Sequence, residues 1–168
     1  MVHVLVATIV LVVVSDVFLI DGSDLVQAMG RDSTLTGRTE LWGRVLQLRV
    51  DPLFGAGFES FWLGTRLDTL WSMYWWHPNQ AHNGYLEVFL NLGWIGLILL
   101  GSVIARGYRN VVDAVRREPQ LGRLRLAFFV AALLYNLTEA AFKILHPVWI
   151  AFLLSIIAIP DAPGEEER

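Results

Sequence analysis

The sequence predicts an all-α, polytopic membrane helix bundle, and three observations carry that reading. Hydrophobic residues fill 55% of the 168 positions and charged residues only 17%. Mean hydropathy is +0.50, and the apolar residues come in runs rather than stripes, as in membrane proteins. A transmembrane helix needs roughly 20 mostly apolar residues to cross about 30 Å of hydrocarbon. Residues 1–20 and 86–105 meet that length outright. Residues 124–142 are long enough but carry Asn136 and Glu139, and 147–159 reach the length only with 144–146 added. About four transmembrane helices are therefore expected: 1–20, 86–105, 124–142 and 144–159.

The first of these has no basic n-region and no small-x-small cleavage pattern after it, so it reads as a span and not as a signal peptide. It also lacks the Lys or Arg that usually anchors a first span, and the chain is expected to be part of a larger polytopic protein. With no cysteine, neither a disulfide framework nor a thiolate metal site is available. Residues 106–123 form a basic loop, where Arg106, Arg109, Arg116, Arg117 and Arg123, with Arg125 just beyond, face only Asp113 and Glu118. An excess of arginine marks a cytoplasmic loop. Four spans then place the N-terminus and a disordered, acidic tail, 160–168, in the cytoplasm and residues 21–85 on the periplasmic side.

That outer segment, about 65 residues long, exceeds a bare connection and should carry structure or function of its own. Within it, Thr36 can cap an amphipathic helix over about 37–50, with Leu41, Val45 and Leu48 on one face and Glu40, Arg44 and Gln47 on the other. Asp51-Pro52 ends it, and the helix is expected on the outer membrane surface or against the bundle. Pro52-Leu53-Phe54-Gly55-Ala56-Gly57-Phe58 reads as a tight glycine turn. It is not a dinucleotide fingerprint, since Ser60 stands where the third glycine would be. Trp62, Trp71, Trp75 and Trp76, with Tyr74, read either as an interfacial aromatic belt or as a platform for sugar rings. In the span that follows, Gly93, Gly96 and Gly101 read as a surface for close helix packing. Glu87 and Asn91 share a helical face with Asn83 that should turn away from lipid.

The candidate site is Ala81-His82-Asn83-Gly84-Tyr85-Leu86, residues 81–86, where the polar segment becomes the apolar run 86–105. An imidazole titrates near neutrality and can take a proton from a hydroxyl, so His82 can serve as a general base; the bland alternative is an interfacial hydrogen-bonding histidine. Placed at a helix N-terminus, it would adjoin amides that favour an anion such as phosphate. Arg38, at the start of the amphipathic helix, has the fork suited to phosphate, or else pairs with Glu40. Glu139 lies near the outer end of the third span, at the level of His82, where its carboxylate can orient His82, pair with an arginine or sit protonated in a helix contact. The Asn136-Leu137-Thr138 sequon, inside a span, should not be glycosylated. His77 and His82 lack helical zinc spacing. No metal, cofactor or nucleic acid is expected, since no nucleophile elbow, P-loop or basic patch is present.

Three pieces carry a family resemblance. Leu35-Thr36-Gly37-Arg38-Thr39-Glu40-Leu41-Trp42, then residues 52–58, then residues 81–86 with Leu92-Gly93-Trp94-Ile95-Gly96 resemble the O-antigen ligase and polysaccharide polymerase superfamily in order and spacing, and the Thr138-Glu139 pair agrees. The resemblance covers roughly residues 35–142. It implies an inner-membrane, metal-independent, inverting glycosyltransferase that moves a glycan from undecaprenyl pyrophosphate to an acceptor hydroxyl, on a lipid or on another glycan, at the periplasmic face. It further implies that His82 is catalytic, that Arg38 holds the donor pyrophosphate, and that Asn83, Tyr85 and Glu139 complete the substrate site. Members of the superfamily have around a dozen spans, so this chain corresponds to their C-terminal part. The rival reading is a non-catalytic membrane component, transporter-like or an assembly partner; it would place ionisable groups near mid-membrane rather than at the outer interface.

Overall fold

The computed structural model describes residues 33–158. The expected span at 1–20 and the tail at 160–168 lie outside those residues. Five helices are described: α1 (Ser33–Gln47), α2 (Thr65–Met73), α3 (Gly84–Arg117), α4 (Pro119–Thr138) and α5 (Pro147–Ile156). The all-α expectation is borne out. Two of the helices, α3 and α4, are long and apolar enough to cross a membrane. In the region of the expected span at 144–159, α5 has 10 residues, about 15 Å at 1.5 Å per residue, and residues 144–146 lie outside it. The expected loop at 106–123 is helical on both sides of Glu118, because α3 runs on to Arg117 and α4 starts at Pro119. Proline suits a first helical position, where its missing N–H goes unneeded. The turn is tight enough that a Cβ on Gly122 would overlap the backbone of Val115.

Helices α3, α4 and α5 pack together around Val111, Phe129, Ala132, Leu133 and Phe152. Helix ends leave carbonyls without intrahelical partners, and the end of α5 is closed from neighbouring helices. Arg125 donates through Nε to Ser155 O at 2.7 Å and through Nη2 to Ile157 O, and Asn110 Nδ2 donates to Ile156 O at 2.9 Å. One arginine counted above toward the loop's charge is thus a buried cap.

The other core lies at the opposite end of α3. Leu41 and Val45 of α1 are fully buried against Phe61, Trp62, Leu70, Ala81, Leu86 and Leu90. The amphipathic pattern is right about the buried face, although the helix begins at Ser33 and ends at Gln47. Its apolar stripe is covered by the chain itself.

A break in α3 joins this core to the bundle. Gly93 has φ 62° and ψ −158°, inside an otherwise helical stretch. Breaking a helix leaves donors and acceptors that must find partners when buried. Here the glycine turn supplies them: Trp94 N and Ile95 N donate to the carbonyls of Pro52 (2.9 Å) and Leu53 (3.2 Å), while Ala56 N and Gly57 N donate to those of Leu90 and Asn91, both at 2.9 Å. A Cβ on Gly93 would overlap the Leu53 carbonyl, and one on Gly55 would overlap Asn91. Gly93 is therefore the seat of a wedged loop, which corrects its reading as a helix-packing glycine. Gly101 faces open space, and it is Gly107 that admits a neighbouring helix, through Ile156.

Candidate active site at the mouth of α3

Asn83 starts α3. Its backbone is extended, and its side-chain Oδ1 accepts from Tyr85 N and Leu86 N, both at 3.0 Å. The amides expected to attract a phosphate are thereby satisfied by the protein's own cap. Asn83 is 1% exposed, and Tyr85, 7% exposed, donates its hydroxyl to Leu133 O at 3.1 Å. Both are expected substrate residues; in the structure both are turned inward, where Asn83 caps α3 and Tyr85 ties α3 to α4. Gly84 between them lies against Asn136, whose Oδ1 accepts from Ala141 N and Phe142 N and so shapes the turn after α4.

That turn brings Glu139 to His82, which precedes the cap and holds a left-handed backbone at φ 51°. Such a conformation is costly for a residue other than glycine and persists where surrounding structure enforces it. Glu139 Oε2 lies 3.1 Å from His82 Nδ1, and Oε1 lies 3.2 Å from Arg38 Nη2. Arg38 also donates through Nη1 to Thr138 O at 2.6 Å. Arg38 comes from α1, His82 from the mouth of α3, and Glu139 from the end of α4. Trp42, one turn beyond Arg38, donates Nε1 to Ala81 O at 2.7 Å, so one face of α1 grips both sides of the pair.

The electrostatics follow from that geometry. Burial pushes the Glu139 carboxyl up, but the hydrogen bond and charge of His82, with the Arg38 guanidinium, outweigh it, and the group sits below its ordinary value. A carboxylate at Nδ1 takes that nitrogen's proton as a hydrogen bond, so the neutral ring presents Nε2 as its acceptor. Among the described residues no hydrogen bond reaches Nε2. The side chains of His82 and Arg38 are each 27% exposed, and that of Glu139 34%, so the group is accessible. Among the described residues Arg38 uses two of the five N–H groups of a guanidinium.

Two residues that the sequence reading passed over join the site. Gln80 lies 3.4 Å from His82 Nδ1 on one side and 3.4 Å from Lys143 Nζ on the other. Lys143 stands 3.9 Å from Glu87, whose buried carboxylate also accepts from Trp62 Nε1 (2.7 Å) and Ala81 N (2.9 Å). One signal was available, since Lys143 is the sole lysine in the sequence and separates two apolar runs. Among the described residues no three His, Asp or Glu side chains converge as metal ligands.

The chain is thus helical, with two helices long and apolar enough to cross a membrane and an accessible carboxylate–histidine–arginine group at the mouth of one of them. The chain belongs to the O-antigen ligase family, whose model matches residues 1–101, and the motif resemblance is borne out. It is 32% identical over 145 residues to the exopolysaccharide production protein ExoQ of Rhizobium meliloti (strain 1021), covering 82% of this chain and 33% of that protein. The chain thus spans about a third of the length of that curated relative. No solved structure matches.

Proposed function

We propose that this chain carries the reaction centre of a membrane glycosyltransferase that moves a glycan from undecaprenyl pyrophosphate to an acceptor hydroxyl on the periplasmic side. The observation that carries the reading is the contact of Glu139 with His82 Nδ1 at 3.1 Å, an arrangement that favours the tautomer with Nε2 as acceptor. Nε2 takes the hydroxyl proton as the oxygen attacks the anomeric carbon. The new C–O bond forms with inversion, and the bond to pyrophosphate breaks with its electron pair leaving on the phosphate oxygen. Glu139 orients the ring and stabilises the imidazolium. Arg38, on the far oxygen of the same carboxylate, offers its remaining N–H groups to the departing pyrophosphate. Family membership supports a glycan-processing role, and ligase and polymerase activities differ only in the acceptor.

The test is His82→Ala in membranes that contain the protein. Glycan transfer should fall by roughly 10²–10⁴-fold, the scale of general-base catalysis, with the protein still inserted. Transfer at the parental rate would overturn the mechanism.

A further inference from the structure

A cavity of about 280 Å³, lined in part by Glu59, Trp62, Asn79, Glu87, Asn91 and Lys143, connects to the His82 group through Lys143, which contacts Gln80, which in turn contacts His82. Its volume is just below the range for small-molecule sites, about 300–1,000 Å³, and suits one ring rather than an oligomer. Phe58 and Phe142 add apolar wall, so that aromatic faces alternate with amide and carboxylate groups. Phosphate is disfavoured: Glu59 and Glu87 oppose a single cation, Lys143, and Lys143 is already held by Glu87 and Gln80. A neutral ring with apolar faces and a rim of hydroxyls suits the lining better, since aromatic side chains cover the faces while carboxylate and amide oxygens accept from hydroxyls.

We infer that this cavity is a saccharide subsite that holds the terminal sugar of the acceptor. The inference rests on the function proposed above, and the order of the side chains carries it. Arg38, Glu139, His82, Gln80 and Lys143 succeed one another through contacts of 3.1 to 3.4 Å. An anionic donor is drawn to the Arg38 flank, and the cavity lies on the Gln80 and Lys143 flank, one side chain from His82. A sugar held there can direct a rim hydroxyl to the imidazole, while the pyrophosphate stays on the opposite side.

Glu59 and Asn79 provide the test, because both are exposed and neither side chain makes a hydrogen bond among the described residues. The protein purified in detergent is titrated with methyl glycosides of glucose, galactose and N-acetylglucosamine, with binding read by saturation-transfer NMR. At least one glycoside should bind, and Asn79→Ala and Glu59→Gln should each weaken it fivefold or more. Inorganic pyrophosphate should not displace it, and His82→Ala should still bind it. Absence of binding by every glycoside, unchanged binding in both variants, or displacement by pyrophosphate would overturn the subsite. Because transfer is not the readout, a saccharide site that survives alongside an active His82→Ala protein would reject the mechanism and keep the subsite.

Discussion

The two halves of α3 share one helix and live in different surroundings. From Gly84 to Leu92 the helix buries Tyr85, Leu86, Glu87, Leu90 and Asn91, three of which have polar side chains placed by hydrogen bonds. Beyond Gly93 it exposes Ile95, Ile98, Leu99 and Val103, an apolar surface suited to lipid. The first half is held by direction, through Trp62 on Glu87, Phe61 N on Asn91 and the loop amides on Leu90 and Asn91. The second is held mainly by shape, against α4 and α5, with Asn110 adding a hydrogen bond to Ile156 O. A hydrogen bond demands position within a few tenths of an ångström, whereas apolar packing tolerates substitutions of similar volume. The half that adjoins His82 is the half built from hydrogen bonds.

The boundary between them is where the comparison breaks most easily. Gly93→Ala puts a Cβ on the Leu53 carbonyl and on a backbone with φ 62°, and neither backbone can give way without losing the four bonds across the break. The loss is expected at about 3–5 kcal/mol, the scale of core overpacking combined with a special backbone conformation. Thermal unfolding in detergent and limited proteolysis check it: residues 52–62 should become cleavable while α4 and α5 stay protected. Uniform destabilisation along the whole chain would instead make the protein one cooperative unit.

A gentler cut falls on the first half alone. Asn83→Ala removes the oxygen that serves both Tyr85 N and Leu86 N. Loss of such a cap costs about 1 kcal/mol, within a range of roughly 0.5–2, which at this chain length lowers the melting midpoint by about 2–4 °C. Transfer should fall by a larger factor than stability would explain, since His82 is the residue before the cap. Proportionate losses would show that the cap does not position the imidazole.

These two positions also mark what the sequence could tell. Hydropathy located α3 and α4, because a lipid-facing or buried helix writes its environment into every residue. The 37–50 periodicity located the buried face of α1 for the same reason. Arg38, His82 and Glu139 could each be singled out by residue type and place, and a contact of Glu139 with His82 or an arginine is among the options, but nothing in the sequence could choose it: Arg38 and Glu139 are 101 positions apart, and no periodicity connects them. The break at Gly93 was hidden because a window of apolar residues averages over a single glycine, and the partners that make it tolerable are backbone atoms of a loop some 40 residues earlier. Asn83 and Tyr85 show the same limit. Polar residues in a motif read alike whether they face a ligand or cap a helix, and only the direction of the side chain separates the two.

The smallest expected effect is the sharpest control. Ile98 is 65% exposed on the second half of α3, and Ile98→Ala removes atoms that only lipid would touch. In lipid the apolar transfer term that makes core truncations cost 2–5 kcal/mol vanishes, because the surroundings are as apolar as the side chain. Alanine also has the higher helix propensity, which offsets the lost dispersion contacts. The melting midpoint in bilayer nanodiscs should therefore stay within about 1 °C of the parent. A loss near that of a core truncation would mean that another protein surface covers this face, and the second half of α3 would then resemble the first.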